Sequence, residues 1–425
     1  MSAPPRTHVV LTGSELARGL VRDQNGPFLA GELTRIGLEP ARTVVVGDHP
    51  EELEGALRDG VTADLCVISG GLGPTHDDRT VELLARVLGR RLLVDEELAR
   101  EIASVARRVA ERLGRPEAEL AVGVRKQASL PEGGVSLGLA GTAPAVLVEH
   151  ADGVAVALPG PPGELRRLWP NVLASEPVRR LVTRARKREH RLLRFFRVPE
   201  AAVAAALADA GGEGEGVEVT VCARNYEIEV DLYVDQGGEK RASALEGELA
   251  TRFRDALFAR DERPIAEIVL DLCRARHIRL ATAESCTGGL VGAELTAVPG
   301  ASDVYAGGVV AYSNEAKRSM LGVPASVLER NGAVSAETAS EMAKGVLRQL
   351  EADVALAVTG VAGPGGGTAE KPVGLVYLDV EAGPLGRRGF ESRLHGNRDE
   401  IRARAAVQVL HLVREVLVRD RDMSR

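Results

Sequence analysis

Through residues 7–170, short unbroken apolar runs alternate with stretches whose apolar positions recur every three to four residues. His8-Val9-Val10-Leu11, Thr43-Val44-Val45-Val46 and Leu65-Cys66-Val67-Ile68 read as buried strands, and residues 25–36 and 51–58 as helices, the first ended by Gly37. Continuous apolar strands separated by helices predict an α/β, doubly wound, mostly parallel sheet covered on both faces. Ligands then bind beyond the carboxyl ends of the strands. Three segments fall there: Glu15 after the first strand, Gly47-Asp48 after the second, and Ser69-Gly70-Gly71-Leu72-Gly73-Pro74-Thr75-His76-Asp77-Asp78 after the third. The glycine-rich loop opens a helix near Asp78, and its backbone amides suit a phosphate. Glu15, Asp48, Asp77 and Asp78 are oxygen ligands of the kind that hold Mg²⁺ or another hard divalent ion, although two aspartates at a helix start also serve as caps. Farther on, Leu158-Pro159-Gly160-Pro161-Pro162-Gly163-Glu164-Leu165 is a rigid turn whose prolines suit the first turn of a helix.

The texture changes over 171–262. A basic run at 184–188 precedes a strand at 192–198, an alanine-rich helix at 199–210, strands at 217–222 and 227–234, and a helix running to about 257. This pattern predicts a small α/β middle domain that connects or dimerises. The expected domains are therefore 6–170, 171–262 and 263–421, the last another α/β domain.

In the last region the strand-like run 278–282 leads into Ala283-Glu284-Ser285-Cys286-Thr287-Gly288-Gly289, and a helical pattern at 290–295 leads out. Hydroxyl and thiol side chains thus sit where a strand turns into a helix, beside glycines that let the chain turn sharply. A nucleophile there has backbone N–H groups at hand to stabilise an anion. A second strand-like run ends at Tyr312, and a helix with Asn314 as its expected cap places Lys317 in its first turn. A strand at 354–358 runs into the glycine-rich loop Thr359-Gly360-Val361-Ala362-Gly363-Pro364-Gly365-Gly366-Gly367. Strands at 373–380 and 386–394 follow, and Arg398 stands at the start of the final helix. No histidine lies in these motifs, so a Ser–His–Asp triad is poorly matched. A lysine whose pKa is lowered by burial can take a serine proton instead, and tyrosine can relay it. Ser285 and Cys286 are adjacent, and the residues alone leave either as the nucleophile.

Composition narrows the classes. The chain has 425 residues, 44% hydrophobic and 27% charged, enough for two or three globular domains. Aromatics at 3% and a net charge of −7 argue against a nucleic-acid-binding surface. No apolar run approaches the ~18 residues of a membrane helix and the N-terminus has no apolar signal core, so a cytoplasmic address is expected. None of the four cysteines forms a CxxC pair, which excludes the usual zinc and disulfide patterns.

Gly13-x-Glu15, Asn25, Gly47-Asp48, the loop from Gly70 to Asp78 and the Pro159-Gly160-Pro161-Pro162-Gly163 turn resemble the N-terminal domain of the competence/damage-inducible protein CinA family, itself similar to molybdopterin-binding domains. The resemblance implies a nucleotide site formed by Asp48, Gly70, Gly71, Gly73, Thr75, Pro159 and Gly160. It also implies a divalent metal (Mg²⁺ or Co²⁺) at Glu15, Asp77 and Asp78, with cleavage of ADP-ribose to AMP and ribose 5-phosphate. Ser14 stands where that family usually carries an acid. The 283–289 turn, Tyr312-Ser313-Asn314-Glu315-Ala316-Lys317, Gly332-Ala333-Val334-Ser335, Thr359-Gly360-Val361-Ala362-Gly363-Pro364 and Lys371-Pro372-Val373-Gly374 resemble the family's C-terminal domain. Stand-alone forms of that domain deamidate nicotinamide mononucleotide to nicotinic acid mononucleotide and ammonia without a cofactor. The resemblance implies Ser285, Tyr312 and Lys317 as catalytic residues. It implies substrate contacts from Glu284, Cys286, Thr287, Gly288, Gly289, Asn314, Thr359, Gly360, Gly363 and Arg398. The implied ligands are nicotinamide mononucleotide and ADP-ribose, with no nucleic acid or membrane partner, and the protein is expected to be a homodimer.

Overall fold

A computed structural model describes residues 3–114, 116, 123–151 and 153–423. The chain divides into two compact units, Met1–Arg188 and Glu189–Arg425.

The first unit holds strands β1 (Thr7–Thr12), β2 (Pro40–Val46), β3 (Leu65–Ser69), β4 (Leu92–Val94), β5 (Ser129–Pro131), β6 (Val135–Leu139), β7 (Pro144–Glu149) and β8 (Val154–Leu158). Six of them form a sheet in the order β2-β1-β3-β8-β7-β6, while β4 and β5 pair separately. The β2-β1-β3-β8 part is parallel, and β7 and β6 add an antiparallel edge. Side chains alternate between two cores, one on each face: Leu65 and Val67 join one, Cys66 and Ile68 the other. The unit extends past the expected boundary at 170. The helices Pro162–Ala174 and Glu176–Arg184 send Trp169, Val172, Val178 and Leu181 into the first core.

The second unit combines two sheets. Strands β9 (Glu189–Phe196), β10 (Val217–Arg224), β11 (Glu227–Val234) and β12 (Leu257–Ala259) form an antiparallel sheet ordered β10-β11-β9-β12. The helix expected to run to 257 stops at Arg252, and the residues from 257 form the edge strand β12 instead. Helices Glu200–Asp209 and Glu239–Arg252 cover one face, packing Val203, Leu207, Leu245 and Leu249 against Leu193 and Phe195. The other sheet runs β14-β13-β15-β16-β17, from β13 (Leu280–Glu284), β14 (Tyr305–Val310), β15 (Val354–Gly360), β16 (Leu375–Glu381) and β17 (Arg387–Arg393). Its first three strands are parallel and the last two antiparallel. β13 lies between two parallel neighbours, so its carboxyl end opens a crevice. Among the described residues no helix is long and apolar enough to cross a membrane.

The two sheets of this unit meet over the final helix, Arg398–Met423. His411, fully buried, stacks on Phe196 of β9 with ring centroids 3.7 Å apart. Its Nε2 lies 2.7 Å from Glu227 Oε1, and Arg194 donates to the other oxygen of that carboxylate at 2.9 Å. Burial pushes the His411 imidazole down to about 4, so it is neutral at pH 7 and its Nε2–H donates to Glu227. Arg194 also reaches Glu229 at 3.2 Å, so one guanidinium serves two carboxylates and the neutral imidazole gives Glu227 a further donor without adding charge.

The cluster makes stability depend on pH. Unfolding returns His411 toward its ordinary value of 6.5, so between 6.5 and about 4 the unfolded chain binds the extra proton. Its contribution is intact above 6.5 and is lost as pH falls toward 4, with a slope of at most about 1.4 kcal/mol per pH unit. Urea unfolding of wild type and His411→Gln across that window measures this. The variant should show the shallower decline, and parallel curves would contradict it.

Candidate active site

The carboxyl end of β13 presents Ser285. Its N–H donates to Val358 O of the neighbouring β15 at 2.9 Å, and on the other side the Ala311 N–H donates to Glu284 O at 2.8 Å. The serine is therefore fixed to both flanking strands. Ser313 caps the helix Asn314–Leu321 by accepting from the Ala316 N–H at 3.0 Å, so Asn314 is the first helical residue and not the expected cap. Asn314 is exposed. The cap sets the helix register, and Lys317 then turns inward, 1% exposed.

Lys317 Nζ lies 2.9 Å from Ser285 Oγ and 2.9 Å from the Ala311 carbonyl. Among the described residues no carboxylate pairs with it. Burial lowers its pKa from the ordinary 10.5, with the thiol of Cys286 opposing that shift. A buried amine facing a hydroxyl and a carbonyl is the environment that turns lysine into a base. Ser285 itself is 7% exposed. Cys286 packs into the core, and burial pushes its thiol up to about 12. It is thus protonated at neutral pH and weakly nucleophilic, which separates two neighbours that the residue types left equal.

Glu284 differs from its expected role as a substrate contact. It is 1% exposed, and its carboxylate accepts from the N–H groups of Gly289 at 3.0 Å, Val291 at 3.0 Å and Gly292 at 2.8 Å. It satisfies the free amides at the start of the helix Leu290–Thr296 from within the chain. That withdraws Gly289 as an anion donor. The Gly288 N–H is also engaged, donating to Ser285 O at 3.0 Å. The amides of Cys286 and Thr287 have no oxygen acceptor among the described residues and lie against the Cys286 sulfur, a weak acceptor. Positive φ values of 60° at Gly288 and 94° at Gly289 carry the turn.

Tyr312 lies two residues beyond β14 and is 61% exposed. Its hydroxyl accepts from Arg398 Nη2 at 2.7 Å, and Arg398 Nη1 donates to Gly363 O at 2.6 Å. The structure therefore joins Tyr312 to Arg398 and the glycine-rich loop, not to the Ser285–Lys317 contact where a proton relay would place it. Thr359 is buried and donates to Ala333 O at 2.7 Å, so its hydroxyl pins one loop to another. A Cβ on Gly360 would lie 2.7 Å from Leu375 O and 2.8 Å from Val376 Cα, so β16 requires that glycine. Gly363 is constrained likewise by Val373, 2.6 Å from where its Cβ would stand. Two contributors were not singled out from the sequence. The Ala311 carbonyl receives Lys317, and Arg402 Nη2 donates to Thr287 O at 2.8 Å. The second had a readable signal, since Arg402 stands four positions after Arg398 on one helix face.

The first unit carries a cleft of about 610 Å³ beyond β1, β3 and β8. It gathers Glu15, Asp48, Gly70, Gly71, Gly73, Asp77, Asp78, Pro159 and Gly160, together with Asn25 and Glu164. Thr75 is not among its lining residues. Asn25 ties two walls together, donating to Ser69 Oγ at 3.0 Å and Gly160 O at 2.7 Å, while its Oδ1 is buried without a partner among the described residues. Several expected ligand groups are occupied by the protein itself. Gly70 N–H donates to Leu158 O at 3.0 Å, and the Thr75 N–H to Asp78 Oδ2 at 2.9 Å. The Thr75 hydroxyl donates to both Asp77 and Asp78 and holds the Asp77 carboxyl below its ordinary range. Asp48 accepts from the Ser14 N–H at 2.8 Å and from Thr12 Oγ1 at 3.1 Å. Ser14 Oγ in turn accepts from the Asp48 N–H at 3.2 Å. Among the described residues no three His, Cys, Asp or Glu side chains converge as metal ligands. Glu15, Asp77 and Asp78 therefore line one cleft without forming the expected metal cage, because the two aspartates turn back onto their own loop.

Comparison with known proteins follows the same division. Residues 8–179 match the probable molybdopterin binding domain and residues 262–417 the CinA C-terminal domain. A CinA-like protein of Mycolicibacterium paratuberculosis is 41% identical over 436 residues, covering 98% of this chain and 99% of that protein. One from Mycobacterium tuberculosis is 40% identical over 431 residues, covering 98% of each. A solved competence/damage inducible protein from Agrobacterium tumefaciens is 43% identical, covers 36% of this chain and 93% of its own, and has a TM-score of 0.35. With both domain families in order and full-length relatives at 40–41% identity, the chain belongs to the CinA family.

Proposed function

We propose that the second unit is an amidohydrolase that converts nicotinamide mononucleotide and water to nicotinic acid mononucleotide and ammonia, with Ser285 as nucleophile and Lys317 as base. The supporting observation is the 2.9 Å contact between Lys317 Nζ and Ser285 Oγ, buried and with no carboxylate partner among the described residues. Neutral Lys317 takes the Ser285 proton as Oγ attacks the carboxamide carbon. The new oxyanion accepts from the Cys286 and Thr287 amides. Lys317 returns the proton to the leaving ammonia, giving an acyl-enzyme. It then takes a proton from water, which attacks the acyl carbon, and the carboxylate product leaves as Ser285 regains its proton. Arg398 still has guanidinium N–H hydrogens beyond those bound to Gly363 and Tyr312, and these suit the substrate phosphate.

For the first unit the cleft supports binding of a nucleotide, with ADP-ribose as the ligand the family resemblance suggests. Among the described residues its acidic side chains do not converge as a three-ligand cage, and binding of the nucleotide is the reading proposed.

Ammonia release from nicotinamide mononucleotide tests the nucleophile. Ser285→Ala should lower turnover by about 10⁴-fold or more, and Cys286→Ala should keep most of it. The reverse pattern would move the reaction to the thiol.

The base is tested by pH. Because burial lowers the Lys317 pKa, kcat/KM should rise with pH through one ionisation below 10.5 and level off once the amine is neutral. Lys317→Met should abolish that limb along with the activity. A profile with no rising limb at any pH below 10.5 would exclude a lysine base.

For the first unit, calorimetry should detect ADP-ribose binding, while AMP formation stays at background with or without added Mg²⁺ or Co²⁺. Metal-dependent AMP release would show that the nucleotide itself assembles a metal site.

A further inference from the structure

The segment Ser285–Gly289 has almost every backbone group accounted for, which isolates what holds the two free amides in place. Ser285 N–H is bound to β15, Gly288 N–H closes the turn on Ser285 O, and Gly289 N–H is held by Glu284. The amides of Cys286 and Thr287, the next two after Ser285, have only the Cys286 sulfur against them among the described residues, a weak acceptor that an oxyanion can displace. The hydrogen-bond constraint from outside the strand–turn–helix on this stretch, past Ser285, comes from Arg402, whose Nη2 donates to Thr287 O at 2.8 Å. The guanidinium is 29% exposed and lies 3.6 Å from Asp399 on its own helix. It lies close against the turn: a Cβ on Gly288 would stand 3.7 Å from Arg402 Nη2.

We infer that Arg402 is a positioning residue of the amidase site, holding the Thr287 carbonyl so that the Cys286 and Thr287 amides stay aimed at the oxyanion. This rests on the reading of Ser285 and Lys317 as nucleophile and base. Thr287 is followed by two glycines with positive φ, so the peptide between Thr287 and Gly288 depends on its hydrogen bonds, the Gly288 N–H to Ser285 O on one side and those to the Thr287 carbonyl on the other. The Thr287 carbonyl also accepts from the Leu290 N–H, at 3.3 Å, so Arg402 supplies the shorter of its two hydrogen bonds; without it ψ of Thr287 is held only by the longer one, and the Thr287 N–H shifts with the residue. Oxyanion donors act only when they are set in place before charge develops. Loss of Arg402 therefore weakens the transition state more than the ground state. Arg398, four residues earlier, has the other role: it binds Gly363 and Tyr312 at the mouth and acts on substrate binding.

The test compares Arg402→Met, Arg402→Lys and Asp399→Asn with wild type, using full-length protein and two readouts. One is ammonia release from nicotinamide mononucleotide. The other is the labelling rate of Ser285 by a fluorophosphonate, in which the serine O–P bond forms, fluoride leaves and Lys317 takes the proton. Arg402→Met should lower kcat about 10- to 100-fold, leave KM within about twofold and slow labelling by a similar factor. The midpoint of the alkaline limb should not move, because Lys317 is untouched. Arg402→Lys, which can still donate to the carbonyl, should recover part of both rates. Asp399→Asn should cost less than either. A raised KM with unchanged kcat would make Arg402 a binding residue and overturn the inference, as would unchanged rates in both assays. Should Arg402→Met fail to fold, Arg402→Lys and Asp399→Asn decide the matter by the same two rates. Should wild type label with fluorophosphonate yet release no ammonia, the substrate assignment fails, and the labelling rates alone support or overturn the role of Arg402.

Discussion

An amine enclosed with no carboxylate to match it among the described residues is the constraint on which the second unit's candidate site depends. Keeping Lys317 charged there would be costly, so the fold favours the neutral form and supplies two oxygens, one from Ser285 and one from the Ala311 carbonyl. Both oxygens come from the ends of adjacent strands, and the helix that carries Lys317 is set in register by the Ser313 cap. A slip of one residue in that helix would turn the side chain about 100° away. The site is thus a consequence of strand order, because only a β13 flanked by β14 and β15 brings these three segments together.

The second theme is how the chain treats its own helix ends. A strand–glycine–helix turn is ordinarily ready to receive an anion. Here Glu284 fills that position with a protein carboxylate and leaves two amides before the helix as the open donors. The first unit does something similar with its glycine-rich loop. Gly70 is pressed against the Thr12 carbonyl, and Asp78 occupies the space a Cβ on Gly73 would need. In both units, glycine makes room for the chain's own backbone and carboxylates as well as for a ligand.

The final helix joins functions within the second unit. Its first two turns carry Arg398 and Arg402, which hold Tyr312, Gly363 and Thr287. Its middle carries His411, locked against Phe196 and Glu227 of the four-stranded sheet. One rigid element therefore sets the mouth of the site, the turn beside the nucleophile and the packing of the second sheet.

Much of this was determined by the sequence itself. Unbroken apolar runs placed the parallel strands, because a strand buried on both faces must be apolar throughout. The turn at 283–289 and the spacing from Tyr312 to Lys317 pointed to the two side chains that meet at 2.9 Å, Ser285 and Lys317, and the glycine-rich loop pointed to the first cleft. Other decisions belonged to tertiary structure. Burial, which no local pattern reports, separated Ser285 from Cys286 by placing the thiol in the core. Glu284, Thr359, Asp77 and Asp78 had the right chemistry for ligands, yet the fold gave them protein partners first. Tyr312 went to Arg398, 86 residues away in sequence, and Arg402 went to Thr287 across 115. A polar side chain takes the partner that the fold brings nearest, and residue type alone does not say which partner that is.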